Sequence, residues 1–182
     1  MATSDYDVPA SSPPEAVLSP EFRAVFDAEF AYVCRALRRL GVREADLKDV
    51  AQELFVAVHE RLATYDATRP LRPWLFSFAV RYASNYRRLS RNHSHTSVEA
   101  VDLRTESSPR LEARDLILRA LARLDFDRRT VVVMHDLEGF DAPEIATQLA
   151  VPVNTVYSRI RLGRADFRAA IADLQQQKGG SK

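Results

Sequence analysis

Cysteine is almost absent: Cys34 is the single thiol in 182 residues, so no internal disulfide can staple the chain. Its helical spacing with Phe30 and Leu37 predicts a packed, reduced side chain. Glycine is scarce at five residues, and Trp74 is the one tryptophan. The densest apolar runs, 74–80 and 131–134, fall far short of the roughly 20 residues a membrane helix needs. The four histidines are scattered, and His93 and His95 share a polar stretch with no cysteine or carboxylate pair beside them, so neither a metal nor a cofactor is expected. The first residues, with Asp5 and Asp7, lack the basic start and apolar stretch of a secretion signal. A cytoplasmic protein with no membrane contact is the expectation. No phosphate-cradling glycine loop and no nucleophile with its base are seen, so no catalytic residue and no enzymatic activity are expected.

What is present is segregated charge beneath a net of +1. Residues 1–66 carry twelve acidic against seven basic side chains, and 67–95 carry six basic and no acidic ones. Residues 96–154 return to eleven acidic against seven basic, and 155–182 to six basic against two acidic. Two basic blocks alternating with two acidic ones fit a chain that meets a polyanion at two separated places.

The clearest local pattern leads from the second acidic block into the second basic one. Asp141 is placed to cap a helix over 142–149, Glu144 stands in the capping-box position, and Phe140 and Ile145 can staple across the cap. Ala150, Val151 and Pro152 break that helix, and a second starts at about Pro152, because proline is accepted only in a first turn. At roughly 100° per residue, Val156, Ile160, Gly163 and Phe167 share one face of it. Asn154, Tyr157, Ser158, Arg161, Arg164 and Arg168 share the other. Two helices joined by a turn, the second divided into an oily and a basic face, form the helix-turn-helix arrangement that presents side chains to duplex DNA. Asn154, Tyr157, Ser158 and Arg161 suit base edges, whereas Arg164 and Arg168 suit phosphates.

Elsewhere, residues 1–18, rich in Pro, Ser and Ala without period, read as a disordered tail. Ser19 and Pro20 open a helix whose apolar positions Phe22, Val25, Phe26, Phe30, Val33, Leu37 and Leu40 recur at three and four until Gly41. Asp46 is expected to cap the next, which buries Leu47, Val50, Ala51, Leu54, Phe55, Val58 and Leu62 and leaves Lys48, Asp49, Gln52, Glu53 and Glu60 outward. After a loop with Tyr65, Asp66, Arg69 and Pro70, a third helix is expected over about 73–91. Leu75, Phe78, Ala79, Tyr82, Tyr86 and Leu89 would face its core, Arg81, Ser84, Arg87, Arg88 and Arg91 the opposite side, with Trp74 and Asn85 between. Three such helices make a small bundle.

Residues 92–109, ending in Ser107, Ser108 and Pro109, read as a linker. A helix is expected over 111–124, then another, capped by Asp127, through Val131, Val132, Val133 and Leu137 to Glu138, ended by Gly139. The β-branched run favours sheet, but helical caps on both sides decide for helix. Residues 175–182 read as a frayed tail. The fold class is therefore all-α: two small helical domains, 19–91 and 110–174, joined by a flexible linker.

In this order the pieces resemble the extracytoplasmic-function (ECF, group IV) sigma factors of the sigma-70 family over roughly residues 20–174. Asp46, Asp49, Gln52, Glu53 and Phe55 match a D-x-x-D-L-x-Q-E-x-F segment, and Trp74, Leu75 and Phe76, continuing to Arg87 and Arg88, match a W-L-F helix with a basic end. Leu137 to Phe140, Glu144 to Ala146, and Thr155 to Arg159 resemble the region-four signature. The chain departs from the family's pattern at Arg81 and Asn85, commonly Asn and Asp, at Ala150, commonly glycine, and at Tyr157 and Leu162, often basic.

The resemblance implies a promoter-specificity subunit without cofactor. Residues 19–91 would be sigma region 2, docking on the clamp coiled coil of core RNA polymerase through Asp49, Gln52 and Glu53. The same region would melt and read the −10 element through Tyr65, Arg69, Trp74, Arg81, Ser84, Arg87 and Arg88. Residues 110–174 would be region 4, meeting the polymerase flap and reading the −35 element as duplex through Asn154, Thr155, Tyr157, Ser158, Arg161, Arg164 and Arg168. An anti-sigma factor is a further implied partner. The alternative is a stand-alone helix-turn-helix regulator whose N-terminal half serves dimerisation or ligand binding.

Overall fold

The computed structural model describes residues 19–93 and 108–179; the expected tail over 1–18, residues 94–107 of the expected linker, and 180–182 lie outside the described residues. Among the described residues there are seven α-helices and no strand: α1 (Pro20–Leu40), α2 (Leu47–Arg61), α3 (Leu71–His93), α4 (Pro109–Ala122), α5 (Phe126–Val132), α6 (Ala142–Leu149) and α7 (Val153–Gly179).

Local chemistry sets most helix ends. The Ser19 hydroxyl accepts the Phe22 amide at 3.2 Å, and Gly41 stops α1 at φ 104°, a left-handed conformation that costs glycine nothing. Asp46 does not cap α2 with its side chain as expected; it closes a 3₁₀ turn, Glu44–Asp46. Its carboxylate instead accepts from the Tyr86 hydroxyl at 2.5 Å and from Arg43 Nε at 2.9 Å. These stronger donors displace the helix amides, and the Tyr86 bond ties α3 to the α1–α2 corner. The carboxyl is held below the usual range, first by Tyr86 and then by Arg43.

The third helix begins at Leu71, before the expected Pro73. Leu75, Phe76, Phe78, Ala79 and Ala83 are buried, and burial then stops, so Leu89, expected inside, is 54% exposed where the helix runs past its bundle. Across α1, α2 and α3 the core is Val33, Leu37, Leu40, Leu54, Phe55, Val58, Leu75 and Phe76, each worth about 1.5–3 kcal/mol of burial.

In the second half α4 starts inside the expected linker, with Ser108 as cap and Pro109 in its first turn. Asp125, not Asp127, caps α5 by accepting the Asp127 amide at 3.0 Å, which leaves the Asp127 carboxylate free to pair with Arg159. Residues 133–137 form a π turn, and Gly139, at φ 79°, completes the exit. The Asp141 cap forms as expected, accepting the Glu144 amide at 2.7 Å. Pro152 stands just outside α7, its carbonyl accepting the Thr155 and Val156 amides. Rather than fraying at Gln175, α7 continues to Gly179, because Ala170 and Leu174 pack with Ala120 of α4 and Lys178 reaches Glu112 at 2.6 Å.

Gly163, unfavourable by about 1 kcal/mol in a helix interior, sits where α7 crosses α5. A Cβ there would meet Val132 Cγ2 at 2.6 Å. The two halves themselves are in contact: α6 packs on α3, α1 touches α4 and α5, and one apolar cluster runs continuously from Phe22 to Ile160.

Candidate nucleic-acid interface

The outward face of α7 is the first part of the site. Val156, Ile160 and Gly163 are buried, which turns Asn154, Tyr157, Ser158, Arg161 and Arg168 to solvent; Thr155 is half-buried beside them. Tyr157 is 55% exposed, far beyond what a core tyrosine shows. Arg164 lies on the same face but is engaged: its Nε donates to Asp136 Oδ2 at 2.9 Å, and His135 stands beside it. The Asp136 carboxyl is held low by Arg164 first and by His135 in addition.

Asn154, Thr155 and Ser158 also line an open concavity of about 440 Å³ with Asp125, Asp127, Arg128 and Arg159. Arg159 was not among the expected contacts, although it closes the Thr155–Arg159 motif. It is held by Asp127, a partner 32 positions away that no local pattern reveals.

The second part surrounds the start of α3. Trp74 and Tyr65 meet with ring centroids 4.9 Å apart, and Trp74 meets Phe78 edge-on at 4.8 Å. The Tyr65 hydroxyl donates to the Arg69 carbonyl, and Asp66 accepts the Thr68 amide at 3.0 Å, so the loop from Tyr65 to Arg69 is folded on itself. Arg69 is exposed and pairs with Asp66 at 3.4 Å. Along α3, Arg81, Ser84 and Arg88 are exposed, and the Arg81 guanidinium lies 5.8 Å from the Tyr82 ring centroid. Arg87 departs from this row: its guanidinium lies 4.7 Å over the Phe126 ring of the other half.

The third part is α2, where Asp49, Gln52 and Glu53 are exposed on one face. Val56, 62% exposed, continues that row and was missed. Its signal was available: an apolar residue three and four positions after Glu53 and Gln52, off the buried stripe. The structure thus gathers each expected set, with Arg164 and Arg87 already occupied. Cys34 is half-buried, and burial pushes its thiol up, away from reactivity. No described helix is long and apolar enough to cross a membrane.

Comparison with known proteins follows the same division. Residues 26–93 match the family described as Sigma-70 region 2, and residues 114–167 match Sigma-70, region 4. The chain is 30% identical over 155 residues to the RNA polymerase sigma factor NccH of Alcaligenes xylosoxydans xylosoxydans, covering 79% of this chain and 82% of that protein. It is 29% identical over 134 residues to the ECF RNA polymerase sigma-E factor of Escherichia coli K12, covering 65% and 70% of the two chains. Among solved structures it resembles CnrH in complex with the cytosolic domain of CnrY, with a TM-score of 0.62 and 28% identity over 84% of this chain and 88% of that one.

The described residues are thus helical, with a polar, basic row exposed on α7 and a second basic row on α3. The chain belongs to the sigma-70 family, as an ECF sigma factor that directs promoter-specific initiation by RNA polymerase. Sigma factors generally are not enzymes.

Proposed function

We propose that the two halves divide promoter recognition, residues 19–91 opening and reading the −10 element and 110–174 reading the −35 element as duplex. The observation that carries this reading is the split face of α7: three positions buried against α5 and α6, and a polar, basic row left in solvent. Arg161 with Asn154, Tyr157 and Ser158 contacts base edges, Thr155 supports them at the helix start, and Arg168 holds phosphate. Arg164 reaches DNA by exchanging Asp136 for phosphate.

At the −10 element, Tyr65 and Trp74 offer ring faces to an extruded base while Arg69, Arg81, Ser84, Arg87 and Arg88 hold the parted backbone. The exposed, uncharged-to-acidic row Asp49, Gln52, Glu53 meets the polymerase clamp, a protein rather than phosphate. The flap meets the second half, where Leu121, Val132, Leu137 and Phe167 line an apolar groove of about 290 Å³. By analogy with CnrH, seen with the cytosolic domain of CnrY, an anti-sigma factor is a further partner. The protein works in the cytoplasm, without cofactor or metal, and polymerisation belongs to its partner enzyme.

Linking two modest DNA contacts through one polymerase raises their effective concentration, so neither half needs to bind DNA tightly alone. The test is run-off transcription with purified core polymerase and a promoter library. Transcripts should depend on both elements, and dependence on one alone would overturn the division.

A further inference from the structure

Of the three arginines on the outward face of α7, one already holds a carboxylate. Arg161 and Arg168 pair with no carboxylate among the described residues, whereas Arg164 grips Asp136, 28 positions away in sequence. Its Nε donates to Asp136 Oδ2 at 2.9 Å and its Nη2 to Oδ1. This is the fork of parallel N–H groups that would take two oxygens of a phosphate, so carboxylate and phosphate compete for it.

The π turn supplies the carboxylate. The Glu138 amide reaches back to the Val133 carbonyl, a wider turn than an α-helix makes, and this sets His135 and Asp136 against Arg164. His135 Nδ1 lies 2.7 Å from Asp136 Oδ1; an ionised carboxylate only accepts, so Nδ1 carries the proton and fixes the carboxylate's orientation. Arg164 is the more exposed partner, its side chain at 50% against 26% for Asp136, and it has room to turn away from the pair. Arg159 contrasts with it: paired with Asp127 of α5, that side chain is only 27% exposed.

An arginine neutralised in this way adds little to the field that attracts DNA, and it must give up one anion to take another. The loss falls on every sequence alike, since phosphates carry no sequence information. We propose that Asp136 is a positioning residue for DNA engagement: it holds Arg164 back from phosphate and keeps the sequence-independent affinity of the second half low, until base contacts and the polymerase tether bring the duplex within reach. The proposal rests on the reading of duplex by α7 given above.

The experiment titrates the full chain with a labelled duplex of unrelated sequence over a range of salt concentrations. Asp136→Asn keeps the shape of the side chain and removes its charge; it should tighten binding about threefold, the reach of an exposed ion pair, and steepen the salt dependence by about one phosphate contact. Asp136→Glu retains the charge and should match the parent. In an Arg164→Ala background, Asp136→Asn should lose its gain, because the cation it would release is gone. An equal gain in that background would mean simple repulsion between Asp136 and DNA. Lower thermal stability of Asp136→Asn with binding and salt dependence unchanged would mean a purely structural tie, and either result overturns the proposal. If Arg164→Ala and Arg168→Ala both left duplex binding unchanged, the reading of duplex by α7 would fail instead.

Discussion

In the proposed division of promoter reading, single residues on α7 would have separable jobs, and the chemistry of each predicts a different failure. Arg161 is exposed on the outward face of α7, where the proposed bidentate base contact would discriminate by about 1–3 kcal/mol. Arg161→Ala should flatten preference at one or two base pairs of the −35 element while leaving unrelated DNA bound nearly as before. Arg168→Ala, two turns further on, should weaken binding to all sequences and reduce the salt slope by about one. Both are read by titrating labelled duplexes at several salt concentrations; uniform loss for Arg161→Ala removes it from base reading.

A second residue prediction concerns Asp46. Its carboxyl is held low in the folded chain by Tyr86 first and Arg43 next, so the ionised form stabilises the fold above the ordinary carboxylate pKa of about 3.9. That contribution disappears as pH falls through the depressed folded value. Asp46→Asn should therefore destabilise the fold at pH 7, by about 1 kcal/mol given partial exposure, seen as a lower urea midpoint, and the difference should vanish at a second pH acid enough to protonate the folded carboxyl. An equal loss at both pH values would show that the bond's charge is irrelevant.

At the scale of elements, turns and crossings set the limits. Ala150 ends α6 at φ 52°, exposed, in a conformation that costs a residue with a Cβ roughly 1–2 kcal/mol. Ala150→Gly should raise stability by about 1 kcal/mol and the melting temperature by about 2–4 °C. Gly163→Ala should do the opposite despite alanine's better helix propensity, losing about 1–3 kcal/mol as its methyl meets Val132 at the α5–α7 crossing. Thermal melts followed by circular dichroism check the pair, and a stabilised Gly163→Ala would mean that the helices cross less closely.

The same elements explain what was legible in the sequence. Asp141, Ser19 and Gly41 fixed their helix ends because a cap is a bond within four residues, and the stripes of α1, α2 and α7 were visible because burial follows helical period. Asp46 and Asp127 misled for one shared reason: each looked like a local cap, and each carboxylate is taken by a donor from a distant helix, Tyr86 or Arg159. The length of α7 was hidden too, since its last turns depend on α4 rather than on their own composition.

For the whole molecule, the decisive contacts join residues far apart in sequence, such as Phe76 with Phe140 and Arg39 with Arg129 and Glu138. No periodicity records such pairs: the sequence suggested two small helical domains, and the structure packs them against each other through one continuous apolar cluster. Continuity has a thermodynamic consequence. If the halves share a core, neither can unfold without exposing part of the other's buried surface, and their transitions are coupled. Calorimetry on the full chain should then show one endotherm whose calorimetric and van 't Hoff enthalpies agree. Arg39→Glu, which sets two carboxylates against each other across the contact and touches neither the α1–α2–α3 core nor the α5–α7 crossing, should split that endotherm in two. Two peaks in the parent chain would mean that each half is stable by itself and that Phe76, Phe140 and Arg129 contribute contact without coupling. A single peak in the variant would place the coupling elsewhere, in packing that the Arg39–Glu138 pair does not control.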